Sequence, residues 1–79
     1  MVNVKLTGQL LKLAPEGSEK GSFTVEHRAG MTLSALLAQI GVDNQGLKYK
    51  ALVNNENKPA DHVLEDNDSI IIMPLLSGG

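Results

Sequence analysis

The 79-residue sequence has no cysteine and no tryptophan, and it contains only one phenylalanine and one tyrosine. Without cysteine there is no disulfide, no thiolate nucleophile, no zinc finger and no iron–sulfur cluster. The scarcity of aromatic side chains predicts an aliphatic core and leaves no platform on which nucleic-acid bases could stack. At this length the chain is expected to form one domain spanning residues 1–79.

The sequence also lacks an excess of basic residues and any long apolar run. Its formal net charge is −2, whereas nucleic-acid binding requires a basic face that replaces counterions. No apolar run approaches the ~20 residues of a membrane span. The first residues, MVNVKLTGQ, do not have the pattern of a secretory signal. We therefore expect a cytoplasmic protein that binds neither nucleic acid nor membrane.

No set of residues has the spacing of a catalytic or metal site. His27 and His62 are far apart in the sequence, so surface histidines are expected rather than metal ligands. The EDND run at 65–68 lacks the spaced ligands of a calcium loop, and GSEKG at 17–21 lacks the ending of a phosphate loop. We expect no bound metal or cofactor and no enzyme acting by itself.

Four segments have the patterns of β-strands. Apolar residues alternate with polar ones over 2–6 and 22–27, which predicts strands with one buried face. Apolar runs at 51–53 and 69–73 predict two more strands. Three segments stay open: 9–13 fits a strand or a short helix, 42–49 is a connection of uncertain shape, and 61–64 fits a turn or a short strand.

One helix is predicted between the second and third strands. Thr32 has the side chain of a helix N-cap, and Gly41 suits a left-handed C-cap. A single helix with a polar outer face needs a sheet to cover, so we expect an α+β fold. The first and last strands are predicted to lie side by side and parallel in the middle of the sheet. The apolar stripe of the helix consists of Leu33, Leu36, Leu37 and Ile40.

The last predicted strand is apolar on both faces. Ser69, Ile71 and Met73 point to one side, and Ile70 and Ile72 point to the other. A strand with a helix on only one side should alternate apolar and polar residues. One of the two apolar pairs is therefore expected to form a patch facing away from the helix, where such patches mark partner-binding surfaces. The alternative that loops cover that side stays open.

A tail without bulky side chains at its end follows this strand. Pro74 cannot donate to a ladder, so regular pairing should stop near it. Residues 75–79 are expected to form a flexible tail. Gly78 and Gly79 can pass through a narrow channel, and the α-carboxylate of Gly79 is the only reactive group that they bring. A frayed end without a role is the alternative.

Three segments resemble those of the β-grasp sulfur carriers, which include the small subunit of molybdopterin synthase, the thiamine-biosynthesis sulfur carrier and their relative ubiquitin. ALVNN at 51–55 is similar to a strand and turn of the family, and LEDNDSI at 64–70 is similar to its signature before the last strand. MPLLSGG at 73–79 is similar to its Pro-x-x-Ser/Thr-Gly-Gly ending. Asn67 departs from the usual glycine, but Asn accepts the same left-handed angle.

The resemblance implies a β-grasp fold with a mixed sheet of about four to five strands and one main helix. It also implies a non-catalytic carrier. A ubiquitin-activating-type enzyme would use ATP to adenylate the carboxylate of Gly79, and a sulfur donor would convert it to a thiocarboxylate. By the same resemblance, the residues that enter or contact the partner would be Gly78, Ser77, Leu76, Leu75, Pro74, Met73 and Ile71.

The final sulfur acceptor stays open. The long first half and the ending resemble the molybdopterin synthase small subunit, whose partner would be the large catalytic subunit, more than the thiamine carrier, whose partner would be thiazole synthase. Two alternatives use the same features. A ubiquitin-like modifier would join Gly79 to lysines of target proteins, and a plain interaction module would leave the tail idle.

Overall fold

The computed structural model describes residues 1–42 and 48–75, and it forms a sheet with one α-helix and one 3-10 helix within those ranges. The 3-10 helix spans Gly8–Leu13 and settles the open interpretation of residues 9–13 in favour of a helix. The α-helix α1 spans Leu33–Ile40. The strands are β1 (Val2–Leu6), β2 (Ser22–Val25), β3 (Tyr49–Val53), β4 (Glu56–Asn57) and β5 (Ser69–Pro74).

The sheet has the order β2-β1-β5-β3-β4, and β1 and β5 lie next to each other near its middle. They run parallel, with Val4 paired with Ile70 and Leu6 with Ile72, whereas the other neighbouring strands are antiparallel. The predicted parallel pairing of the first and last strands is therefore confirmed. The β-branched residues of both strands suit them to their place near the middle of the sheet.

Helix α1 begins and ends at the predicted residues. The side-chain oxygen of Thr32 accepts a hydrogen bond from the backbone N–H of Ala35 at 3.1 Å, which is an N-cap. Gly41 takes φ of 90°, a left-handed C-cap. The buried helix residues pack with the strands in a core that comprises Val2, Val4, Leu6, Leu10, Val25, Met31, Leu33, Leu36, Leu37, Val42, Val53, Leu64, Ile70 and Ile72.

Two strands differ from their predicted bounds. β2 ends at Val25 rather than at residue 27, because its pairing with β1 ends where Val25 meets Val2. β3 starts at Tyr49, which pairs with Pro74, so pairing continues up to the proline and β3 is longer than the predicted 51–53. Proline still lacks a donor, and Pro74 is the last residue of β5.

The segment 54–57 contains a strand that sequence reasoning missed. Asn54 and Asn55 have φ of 50° and 67°, and they form the two-residue turn of a hairpin. Glu56 and Asn57 then pair with β3 as the short strand β4. Further on, the open segment 61–64 is a turn with a single bridge from Val63 to Thr32. Asn67 has φ of 71°, as predicted for the turn before β5.

Candidate functional site

The two faces of β5 have different environments. Ile70 and Ile72 lie in the core, with 1% and 0% of their surfaces exposed. Ile71 and Met73 lie on the opposite face, away from the core, and are only half-buried. Of the two apolar pairs considered from the sequence, Ile71 and Met73 therefore form the surface patch.

The neighbours of this patch are set by the strand register. Ile71 lies between Lys5 of β1 and Leu52 of β3, and Met73 pairs with Lys50. We call the surface formed by these five residues the open sheet face. Both lysines are exposed, and neither forms an ion pair with another described residue. The open sheet face is thus an apolar centre with two flanking positive charges, which suits an apolar partner surface with acidic residues at its rim.

A groove of about 460 Å³ continues from this surface across β1 to β2. Lys5 and Ile71 line it on the side of the patch, and Thr24 and Glu19 line its far end. The groove therefore extends the area that a partner could cover beyond the five residues of the open sheet face.

The base of the tail is fixed by hydrogen bonds on both sides of Pro74. On one side, the backbone N–H and the side-chain hydroxyl of Thr7 both donate to the carbonyl oxygen of Ile72 at 3.2 Å. On the other side, the backbone N–H of Leu75 donates to the carbonyl oxygen of Lys48 at 2.8 Å. The side chain of Leu75 is 49% exposed. The chain thus leaves the sheet at Leu75, next to the open sheet face.

The remaining predicted site residues lie outside the described residues. Leu76, Ser77, Gly78 and Gly79 belong to this group, and their roles stay predictions. The structure therefore brings together Ile71, Met73, Pro74 and Leu75 of the predicted set.

Asn54 and Asp68, which belong to two of the family-like motifs, have a structural role. The backbone N–H of Glu65 donates to Asp68 Oδ2 at 2.8 Å, and the side-chain amide of Asn54 donates to Oδ1 at 2.9 Å. Asn54 Oδ1 in turn accepts from the backbone N–H of Ser69 at 3.0 Å. This network, which we call the Asn54–Asp68 network, joins the β3–β4 turn to the start of β5.

The Asn54–Asp68 network also fixes the charge of the aspartate. Asp68 is buried, with 8% of its surface exposed. The hydrogen bond from the Glu65 amide, and after it that from the Asn54 amide, holds the pKa of Asp68 below its ordinary value, because both donors favour the charged carboxylate over the neutral acid.

The two histidines are half-buried rather than freely exposed. His27 Nε2 donates to the carbonyl oxygen of Leu64 at 2.8 Å, so this side chain ties the end of β2 to the segment before the last turn. Across residues 1–42 and 48–75, no three His, Asp or Glu side chains are placed to hold a metal ion. In the same ranges no helix is long and apolar enough to cross a membrane.

Sequence reasoning missed several residues of the site. Lys5, Lys50 and Leu52 belong to the open sheet face, and Thr7 and Gly8 lie at the base of the tail. Lys5 could have been found, since it alternates with buried residues of β1. The others depend on which strands are neighbours and in which register, and local patterns do not contain that information.

The fold of the chain is similar to that of several solved structures. A crystal structure of SAMP1 from Haloferax volcanii has a TM-score of 0.72 at 23% identity and covers 99% of this chain and 98% of that one. A structure of H. volcanii small archaeal modifier protein 1 gives 0.74 at 18%, covering 95% and 97%. A protein from Pyrococcus furiosus, provisionally assigned as molybdopterin converting factor, subunit 1, gives 0.77 at 19%, also covering 95% and 97%.

These likenesses confirm the expected β-grasp, ubiquitin-like fold. A search of curated protein sequences gives no significant match. A scan against family models, by contrast, matches residues 4–79 to the ThiS family. This match covers nearly the whole chain, including the segment that follows β5. The chain therefore belongs to the ThiS family, whose members are β-grasp sulfur carriers.

Proposed function

We propose that this protein carries sulfur on the α-carboxylate of Gly79 and delivers it to a cofactor precursor. The observation that carries the proposal is the family match, which extends through the last residue. The position of the open sheet face supports it. A docking surface beside the base of the tail lets one partner hold the domain and receive the tail at the same time.

The proposed chemistry has two steps, and partner proteins rather than the carrier catalyse both of them. In the first, an oxygen of the Gly79 carboxylate attacks the α-phosphorus of ATP, the bond to the β-phosphate oxygen breaks, and pyrophosphate leaves. In the second, the sulfur of a hydrosulfide or persulfide donor attacks the acyl carbon and AMP leaves. With hydrosulfide the products are the thiocarboxylate, AMP and a proton. A persulfide donor additionally requires a thiol to reduce the disulfide formed with the carrier.

The carrier provides docking and positioning. We propose that the adenylating enzyme covers Ile71 and Met73 with an apolar surface and places acidic side chains opposite Lys5 and Lys50. Burial of the apolar pair would provide most of the affinity, and the lysines would orient the encounter. The narrow Gly78–Gly79 end would then reach the nucleotide without steric conflict.

The favoured sulfur acceptor is a precursor of molybdopterin, with the thiazole part of thiamine as the next choice. The Pro-x-x-Ser-Gly-Gly ending supports the first, as does the likeness in fold to the P. furiosus protein. The direct partner for delivery would then be the large subunit of molybdopterin synthase, and for the second choice it would be thiazole synthase.

A ubiquitin-like modifier is the second candidate function. It is favoured by the likeness in fold to small archaeal modifier protein 1. The adenylate would form in the same way, but a lysine amine of a target protein would attack the acyl carbon. The product would be an isopeptide bond in place of a thiocarboxylate.

Intact-mass measurement separates the two candidates. The protein is incubated with ATP, sulfide and a ubiquitin-activating-type adenylating enzyme from the same cells, beside a variant that lacks Gly79. We expect a mass increase equal to replacing one oxygen by sulfur, located in the last peptide and absent from the variant. Lysine-linked conjugates without this increase would support the modifier. The absence of both products would contradict both functions.

A further inference from the structure

Gly8 lies directly against the ring of Pro74. A Cβ atom built at Gly8 would lie 2.8 Å from Pro74 Cγ and 3.3 Å from Pro74 Cδ. The shorter distance is well inside van der Waals contact, so no side chain fits at residue 8 while the proline keeps its place. The ring of Pro74 fills the space that a side chain at residue 8 would occupy.

The backbone of Gly8 does not by itself require glycine. Its φ is 57°, a left-handed value that some other residues accept. In this protein Lys20, Asn54, Asn55 and Asn67 take φ values of 52°, 50°, 67° and 71°. The contact with Pro74 therefore sets a stricter requirement at this position than the backbone angle does.

The contact with Gly8 adds to the strand pairing that places Pro74 opposite Tyr49. Proline has no N–H with which to join the sheet ladder, whereas the residues around it are fixed by hydrogen bonds. Thr7 binds the carbonyl oxygen of Ile72, and Leu75 binds that of Lys48. The ring of Pro74 lies on Gly8 between these two points, where the chain leaves the sheet.

We propose that Gly8 is a positioning residue for the reaction of the tail. It seats Pro74, and with it the hydrogen bond of Leu75 to Lys48, so that the tail starts from a fixed point beside the open sheet face when the adenylating enzyme has docked there. This inference rests on the proposed sulfur-carrier function. Since misplacement of a reacting group by about 1 Å can cost on the order of a hundredfold in rate, a shift of Pro74 from its place beside the open sheet face would slow the reaction of the tail.

The chain offers a matched control for a Gly8→Ala variant. Gly30 has φ of 79° and no atom within 4 Å of the position that a Cβ would take, so Gly30→Ala introduces comparable backbone strain without a clash. A Pro74→Ala background supplies the complementary test, because it removes the two ring atoms that the new methyl group would meet.

The first experiment needs no partner. Amide hydrogen exchange at Leu75 reports whether its bond to Lys48 is kept. We expect Gly8→Ala to speed this exchange about tenfold or more, Gly30→Ala to leave it unchanged, and Gly8→Ala to have no further effect in the Pro74→Ala background. Unchanged exchange at Leu75 in Gly8→Ala would overturn the proposal.

The second experiment varies the carrier concentration in ATP–pyrophosphate exchange by the adenylating enzyme, at a temperature where all variants are folded. We expect Gly8→Ala to lower kcat about 10–100-fold with KM unchanged, and Gly30→Ala to change neither. A purely structural role would lower Tm and leave kcat intact, and that result would overturn the positioning role. If the wild-type protein is not adenylated, the proposed function fails, while exchange at Leu75 still decides whether Gly8 seats Pro74.

Discussion

Adjacent residues of β5 show how differently the two faces of one sheet are used. Ile72 points into the core and is completely buried, whereas Ile71 points to the open sheet face and is half-buried. The side chains are chemically identical and their backbones pair in the same ladder. The difference teaches that the apolar content of this strand has two causes. One face packs in the core that holds the fold together, and the other contributes the apolar centre of the open sheet face.

The largest effect on stability is expected on the buried face. Ile72→Ala should lower the free energy of unfolding by about 2–5 kcal/mol, because it removes core methyl groups and leaves a cavity. Such a loss is a large part of the about 5–15 kcal/mol that stabilises a typical domain. Denaturant unfolding measures it, with Ile71→Ala as the matched control that makes the same change on the other face. Equal losses in the two variants would contradict the contrast between the faces.

A smaller loss is expected at the Asn54–Asp68 network, which ends where the open face begins. Asp68→Asn should cost about 1–3 kcal/mol at neutral pH, because the amides of Glu65 and Asn54 lose the charged acceptor that the buried Asp68 provides. Asp61→Asn, at an exposed position outside the network, is the control and should have little effect on the free energy of unfolding.

The same variant should also change the pH dependence of stability. The pKa of Asp68 is lower in the folded protein than the 3.8 of an ordinary aspartate. Its carboxylate therefore stabilises the fold above that value, and the contribution is lost as the pH falls through the lower folded pKa. Unfolding curves from neutral pH down to about pH 2 should show a shallower loss in Asp68→Asn than in the wild type. If the wild type and Asp68→Asn lost equal stability as the pH falls, the Asp68 carboxylate would not stabilise the fold.

The smallest effect on stability, and the largest on docking, is expected on the open face. Ile71→Ala should cost at most about 1 kcal/mol in folding but weaken binding to the adenylating enzyme about tenfold or more. Titration calorimetry measures the Kd. Val63→Ala is a suitable control, since Val63 is 52% exposed and pairs with Thr32 at the start of α1 instead of lying on the open face. Unchanged affinity in Ile71→Ala would place the docking surface elsewhere.

The sequence predicted the parts of the fold whose signals are local. Alternation identified β1 and β2, an apolar run identified β5, and the Thr32 and Gly41 caps identified α1 within a residue. The short strand β4 was missed because Asn54 and Asn55 form a two-residue turn, and only two paired residues follow it. The 3-10 helix could not be distinguished from a strand in the sequence. Leu10 is its only buried residue, and a single buried residue shows no hydrophobic periodicity.

The candidate site was predicted only where it lies on one strand. Ile71 and Met73 follow from the two-sided apolar pattern of β5, but the choice between them and Ile70 with Ile72 required the position of the helix. The placement of Leu52 and Lys50 beside them required the strand register. The contact of Gly8 with Pro74 joins residues from distant parts of the chain, and no local propensity encodes such a contact.

The parallel pairing of β1 with β5 has a consequence for how the protein is made. Contacts between residues far apart in sequence form slowly, because the long loop between them must be closed before they contribute. The pairing that supports Pro74 and Leu75 joins the first strand to the last, so it must await synthesis of β5. A nascent chain or misfolded intermediate that lacks this pairing would therefore lack the fixed position of Pro74 and Leu75 beside the open sheet face. Under the proposed sulfur-carrier function, the adenylating enzyme would then meet a fixed tail base only on chains that have completed folding.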